Sequence, residues 1–456
     1  MTSQPGQLSF KEKLGYGLGD TASNFFFQTF NIFLLYYYTD VFGLSAAAVG
    51  TMFLVTKIVD AVSDPIMGVI ADRTNSRWGK FRPYLLWAAI PYGICGYLMF
   101  ANPDFGNTGK LIYAYATYSL MMLAYTAINV PYSALMGVIS PLSVERTKVA
   151  SYRFICAFTA GWIIATFVTP LKNMLGGGDE ALGFQLTMAI FAVASILLFW
   201  VTFATTKERV APVQEETNIR LDLKAVMRNG PWIVLFLAAV FTLMNVAIRG
   251  ASLLYYFKYY VGDDGTRIFL IFDKTAVFMS LGLITMLIGI SLTKTLCDYF
   301  EKRSLLITLT ILNAITMAVF YVIPPDQYWL MVIFNCLGTL VIGPTPALVW
   351  SMYADTADYG EWKTGRRTTA LIFSSLQFAQ KLGLAVGAGL SGIILAMFGF
   401  VANEVQTEAS LAGIRFLFSI MPAILALLGA AAIYFYRIDT KTIREFEQAL
   451  AARHST

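Results

Sequence analysis

Charge is scarce in this sequence. Asp, Glu, Lys and Arg together make up 13% of the 456 residues, against roughly 25% in an ordinary soluble protein. Histidine occurs once, at His454 in a polar tail, and cysteine four times, at Cys95, Cys156, Cys297 and Cys336. The cysteines are scattered through apolar stretches without metal-ligand spacing, so they read as packing residues and leave the redox compartment open. No nucleophile stands beside a base, and no phosphate-binding glycine loop is present, which argues against the common enzyme classes.

Apolar residues fill the space that charge leaves, at 57% of the chain. A helix crosses a bilayer with roughly 20 residues, and twelve apolar segments reach that length. They cover residues 16–39, 45–71, 83–102, 110–139, 152–174, 183–204, 231–260, 268–293, 304–323, 327–353, 369–399 and 411–436. The segments are unbroken apolar blocks without the two-residue alternation of barrel strands, so the predicted fold is an all-α membrane protein. The N-terminal MTSQPGQLSFKEKL is polar, and the run after it has no small-residue cleavage site, so the first segment is expected to stay in the membrane.

Positive charge sets the orientation, because Lys and Arg are retained on the cytoplasmic side. Of the 33 lysines and arginines, 24 fall on the two tails and on alternate connections, such as SRWGKFRP (76–83) and the stretch after the fourth segment. Both termini are therefore expected in the cytoplasm. The longest polar connection straddles the midpoint, giving a six-helix bundle over residues 1–206, a cytoplasmic loop over 207–230, a second bundle over 231–437 and a tail over 438–456. Two six-helix halves are the arrangement of transporters that rock about a midplane site. The net charge of +5 is then a topology signal, and no nucleic-acid partner is expected.

Ionisable residues inside such segments stand out because an Asp at mid-membrane costs about 2.5–3.5 kcal/mol on insertion scales. The second segment carries DAVSDP, with Asp60 and Asp64 four residues apart and Lys57 one turn earlier. All three project from one helix face. One reading pairs Lys57 with an aspartate as a packing device; the other makes the two carboxylates a site for Na⁺, or for a proton, since close carboxylates resist ionising together. In the first segment Asn24, Gln28 and Asn31 form one stripe, and in the fourth Tyr125 and Asn129 form another. Amides and rings suit a hydroxyl-rich sugar, although amides in membranes also bond helix to helix. Arg249 either lines the cavity or pairs with a carboxylate, and is left out of the site.

YGLGD (16–20), LLYYYTDVFGL (34–44), DAVSDP (60–65), SRWGKFRP (76–83), NVPY (129–132) and ADTADYGEW (354–362), in this order, resemble the glycoside-pentoside-hexuronide:cation symporters of the major facilitator superfamily. The resemblance covers nearly the whole chain. It implies two pseudo-symmetric six-helix bundles and a multi-pass protein of the bacterial inner membrane. It also implies a cation site at Asp60, Ser63, Asp64 and Thr126, with Asp60 and Asp64 as metal ligands if the ion is Na⁺, and a coupling role for Lys381. The sugar site would comprise Asn24, Gln28, Tyr125, Asn129, Arg153 and Gln377.

Where the melibiose branch of that family has sugar-binding carboxylates, this chain has Asn24 and Asn129. Amides hold hydroxyls less strongly than charged acceptors do, so a galactoside is not implied. The expectation is import of a small glycoside or pentoside with Na⁺ or H⁺ by alternating access, with no other cofactor, and with membrane lipid as the surrounding partner. The alternatives are transport of another solute, such as a lysolipid, through a more apolar cavity, or a non-transporting membrane sensor.

Overall fold

The computed structural model describes residues 7–209, 226–364 and 369–439, with parts of 441–449; the side chains of residues 57–62 and of Gln377 are among those outside the description. Among the described residues the regular elements are helical, and the one extended pairing is an isolated bridge between Phe269 and Phe272. Helix satisfies its backbone polar groups within one segment, which lipid demands.

The chain divides into two compact units. The first comprises Met1–Gln214, Gly265–Val277 and Val401–Glu404, and the second Glu215–Asp264, Phe278–Phe400 and Val405–Thr456. Nine helical runs among the described residues are long and apolar enough to span a bilayer. The other three expected segments differ for local reasons. The first is diluted by its amides and by three consecutive tyrosines, the second has its middle side chains outside the description, and the third breaks at Ala88.

The first unit is built from α1 (Phe10–Thr29), α2 (Ala46–Arg73), α3 (Arg82–Trp87), α4 (Ala89–Leu98), α5 (Asn107–Val138), α6 (Ser143–Gly176) and α7 (Glu180–Thr205). Side chains start three of them: Ser9 and Glu12 form a capping box on α1, Ser45 caps α2 through Ala48 N–H, and Asp179 caps α7 through Leu182 N–H. Two π-helical stretches, Phe30–Leu34 and Tyr37–Val41, prolong α1.

The YGLGD motif is explained by packing. Gly19, with Gly15 just before the motif, turns one edge of α1 to α7, where added Cβ atoms would stand 3.0 Å from Thr202 Oγ1 and 2.0 Å from Thr205 Oγ1. Gly17 turns the other edge to α6, 2.7 Å from Cys156 Sγ by the same measure. Small residues let backbones approach closely, the main source of helix association in lipid. Between α1 and α5, Tyr16 and Tyr132 stack at 4.6 Å, and each hydroxyl donates to the other residue's carbonyl, at 2.9 and 2.7 Å.

The charged motif SRWGKFRP is held by a single carboxylate. Glu208, just beyond α7, accepts from the backbone N–H groups of Lys80, Phe81 and Arg82 at 2.9, 2.8 and 3.0 Å. Gly79 adopts φ +107 there, and a Cβ would lie 2.5 Å from the Glu208 carboxyl. Nearby, Glu145 accepts from Lys13 and Lys148, both at 2.8 Å, and from Leu8 N–H at 3.2 Å. It lies before Lys148, where the spanning part of α6 begins, and the two lysines pull its carboxyl down to about 2.

The second unit contains α8 (Gly230–Tyr255) with a π-helical extension Tyr256–Val261, most of α9 (Lys274–Ser291), then α10 (Thr293–Tyr299), α11 (Lys302–Val319), α12 (Tyr328–Ile342), α13 (Thr345–Thr364), α14 (Thr369–Met397), α15 (Glu408–Arg415) and α16 (Met421–Tyr434). Gly383 and Gly387 seat α14 on α8, with Cβ positions 2.8 Å from Leu243 Cβ and 2.7 Å from Ala247 Cβ. Lys302, at the start of α11, pairs with Asp355 of the charged motif on α13 at 2.7 Å. Arg249 is not paired with a carboxylate among the described residues: it donates to Phe418 O at 3.1 Å, and Phe320 and Phe418 flank its guanidinium.

Several boundaries differ from the sequence expectation: helix starts at Phe10 before the first segment and runs on to Thr364 after the tenth, and the eighth segment loses its beginning. The eighth segment was expected over 268–293, yet α9 begins at Lys274. Asp273 Oδ1 accepts from Ala276 N–H at 2.8 Å and caps the helix there, and the apolar residues before it fold back on themselves.

Candidate functional site

Three helices of the first unit bring most of the described candidate residues into register. Between α1 and α5 the contacts run Tyr16 with Tyr132, Ser23 with Asn129 and Phe27 with Tyr125, so rising numbers meet falling ones and the helices are antiparallel. Between α1 and α6, Asp20 meets Arg153 and Gln28 meets Gly161, eight residues on in each chain, so those helices run parallel. Parallel packing keeps one edge of α1 along one edge of α6 for more than two turns.

On α2, Asp64 Oδ1 accepts from Thr126 Oγ1 of α5 at 2.8 Å, and Ser63 Oγ donates to that same Thr126 oxygen at 3.4 Å. A carboxylate and two hydroxyls thus converge, with Thr126 buried and Asp64 and Ser63 half-buried. Such hard oxygen donors are what an alkali ion or a proton requires. Asp60 and Lys57 lie on the same helix, their side chains outside the described residues.

The polar stripe of α1 is its less covered face: Asn24, Gln28 and Asn31 are half-buried while Ser23, Phe25, Phe26 and Thr29 are buried. Tyr125 stacks on Phe27 at 6.4 Å and lies 6.3 Å from the Tyr92 ring, and it too is half-buried. Asn24 Nδ2 donates to Asp20 O at 2.9 Å. Asn129 is more heavily engaged, accepting from Ser23 Oγ at 2.8 Å and donating to Tyr125 O at 3.2 Å. Its amide therefore bonds α5 to α1, whatever else it touches.

Arg153 Nε donates to Asp20 Oδ1 at 3.1 Å, and the guanidinium lies 5.5 Å from the Tyr132 ring. Asp20 and Ser23 are thus parts of the site that sequence reasoning did not include. A signal existed for Asp20, which stands four residues before Asn24 and so begins the same stripe. Lys381 sits half-buried on α14 of the second unit, and the Gln377 side chain is outside the described residues.

Comparison with known proteins gives a consistent result. The family model described as MFS/sugar transport protein matches residues 15–440. The inner membrane symporter YicJ of Escherichia coli (strain K12) is 39% identical over 447 residues, covering 97% of this chain and 95% of that protein. The isoprimeverose transporter of Lactiplantibacillus pentosus is 32% identical over 458 residues, covering 98% and 93%. Among solved structures, a D-xylose-proton symporter superimposes with a TM-score of 0.63 at 14% identity, covering 95% of this chain and 98% of that one, which is a likeness of fold.

Proposed function

Because this chain belongs to the MFS/sugar transport protein family, whose members are membrane transporters and not enzymes, we propose that it imports a small glycoside or pentoside together with Na⁺ or H⁺. The relatives named as symporters and as an isoprimeverose transporter support that class of cargo. The protein lies in the bacterial inner membrane with both termini in the cytoplasm, in keeping with the name of the first relative and with the lysine and arginine bias.

The cation sits at Asp60, Ser63, Asp64 and Thr126, and Lys381 responds to its occupancy. Asn24, Gln28, Tyr125, Asn129, Arg153 and Gln377 serve the sugar. The observation that carries this reading is the adjacency of Tyr125 and Thr126. One residue of α5 stacks against the α1 stripe and the next donates to the Asp64 carboxylate. Successive residues of a helix point about 100° apart, so one rigid helix touches both ligands, and binding of either biases the position of the other.

The coupling is energetically sufficient. One cation moving down a 100 mV potential supplies about 2.3 kcal/mol, which at about 1.4 kcal/mol per decade supports more than tenfold accumulation.

The test is uptake by reconstituted vesicles of a panel of labelled glycosides and pentosides, with and without a Na⁺ or proton gradient. Asp64→Asn should abolish gradient-driven accumulation while the protein still inserts. Undiminished ion-dependent uptake by that variant would overturn the cation assignment, and uptake of lysolipid in place of sugar would overturn the cargo.

A further inference from the structure

The run Ile268, Phe269, Leu270, Ile271 and Phe272 stands between two membrane-spanning helices, α8 with its extension and α9, and belongs to neither. It is a closed hairpin. Ile268 and Phe269 donate their N–H groups to Phe272 O at 2.9 and 3.2 Å, and Phe272 N–H returns to Phe269 O at 2.9 Å. Leu270 forms the tip at φ 55, a left-handed conformation uncommon for a residue with a branched apolar side chain.

Its depth can be read against α6. Gly265, where the linker starts, is beside Asn173, whereas the Phe272 ring packs edge-on against Phe167 at 5.9 Å. Asn173 and Phe167 are six residues apart, so the chain drops by roughly 9 Å along the helix. Phe167 is nine residues, or roughly 13 Å, inside the end of the spanning run Lys148–Gly176. The hairpin hangs beside a membrane-crossing helix and does not stand above it.

What it turns outward is apolar: Ile268, Phe269, Leu270 and Ile271 are 38%, 62%, 76% and 39% exposed. Arg267, exposed, directly precedes it, while Asp273 on its other side is buried as the cap of α9. We infer that this hairpin is a membrane-interface anchor whose partner is phospholipid, with the four apolar side chains in the acyl region and Arg267 beside a headgroup phosphate. The geometry meets the two requirements of that place. The N–H groups of Ile268, Phe269 and Phe272 are paired inside the turn, which lowers the cost of non-helical chain at the edge of hydrocarbon. The cation sits at the end of the apolar patch, where a long side chain reaches back to the polar layer.

The experiment places a nitroxide at Leu270→Cys in a chain whose four native cysteines are replaced. The protein is reconstituted in vesicles of phosphatidylethanolamine and phosphatidylglycerol, with Val405→Cys, at a site 97% exposed, as the comparison. The Leu270 label should be relaxed severalfold more by molecular oxygen than by a water-soluble nickel chelate, with the order reversed at Val405. Equal access of nickel at both sites would overturn the anchor, and so would protection of Leu270 from both reagents, which would mean a protein cover. Independently, the unaltered protein should be labelled within residues 268–271 by a phospholipid carrying a photoreactive acyl chain, and absence of adducts there would equally overturn it.

Discussion

Thr126 donates its hydroxyl to the Asp64 carboxylate across 2.8 Å, joining α5 to α2. A hydrogen bond to a charged group contributes about 1.5–3 kcal/mol. Thr126→Val keeps the shape and removes the donor and the ligand oxygen. The cation concentration for half-maximal uptake should rise by about tenfold or more, and Thr126→Ser should restore most of the loss. An unchanged cation dependence in the valine variant would separate Thr126 from the ion.

Asp20 and Arg153 form a second pair, at 3.1 Å, with the aspartate side chain 10% exposed. Breaking such a pair from one side leaves the other charge uncompensated and costs about 3–5 kcal/mol. Asp20→Asn should therefore lower the melting temperature of the detergent-solubilised protein clearly. The double variant Asp20→Asn, Arg153→Gln should lose less than the two single losses added together. Strict additivity in the cycle would show that the two side chains are not coupled.

Glu145 gives a prediction for pH. Lys13 and Lys148 hold its carboxyl at about 2, below the ordinary 4.5. A depressed folded-state value stabilises the protein above the unfolded value and is lost as pH falls through the folded one. The stability difference between the native chain and Glu145→Gln should stay constant from pH 8 to about 5. It should then shrink between pH 4.5 and 2, as thermal unfolding at stepped pH would reveal. A difference that already varies around neutrality would contradict the assignment.

Gly387 tests the packing of the second unit. A Cβ there would stand 2.7 Å from both Ala247 Cβ and Met244 O, and the backbone atom cannot swing aside. Overpacking of this kind costs about 1–3 kcal/mol. Gly387→Val should reduce thermal stability by about that much, whereas Gly68→Ala, in open space, should not. Equal melting temperatures for both variants would show that α8 and α14 are not closely packed.

Helix class and the two polar stripes were legible because each rests on local spacing. An apolar block of 20 residues, or amides at i and i+4, requires no knowledge of a partner. The Asp20 to Arg153 pair was not legible, since its members are 133 residues apart and no periodicity connects them. Ser23 was hidden for the same reason, its bond to Asn129 spanning 106 residues. The hairpin at Ile268–Phe272 was misread as the start of a helix, because a short apolar run carries no period by which helix and turn can be told apart. Asp60 and Gln377 remain sequence expectations, their side chains lying outside the described residues.

The π-helical stretches after α1 make the chain's numbering mechanically significant. Over Phe33–Asp40 eight successive side chains are buried, which a uniformly wound amphipathic helix on the surface of a bundle does not do. A π turn holds one residue more than an α turn, so a single deletion within Phe30–Leu34 would be absorbed by rewinding to α geometry, whereas an insertion in the flanking α turn would rotate everything after it by about 100°. Tyr36, which donates to Glu180 at 3.0 Å, would then face away from its partner while Asn24 and Gln28 stayed where they are. Insertions at this point thus act as a dial on one end of the helix alone, while the π turn itself can absorb the loss of a residue.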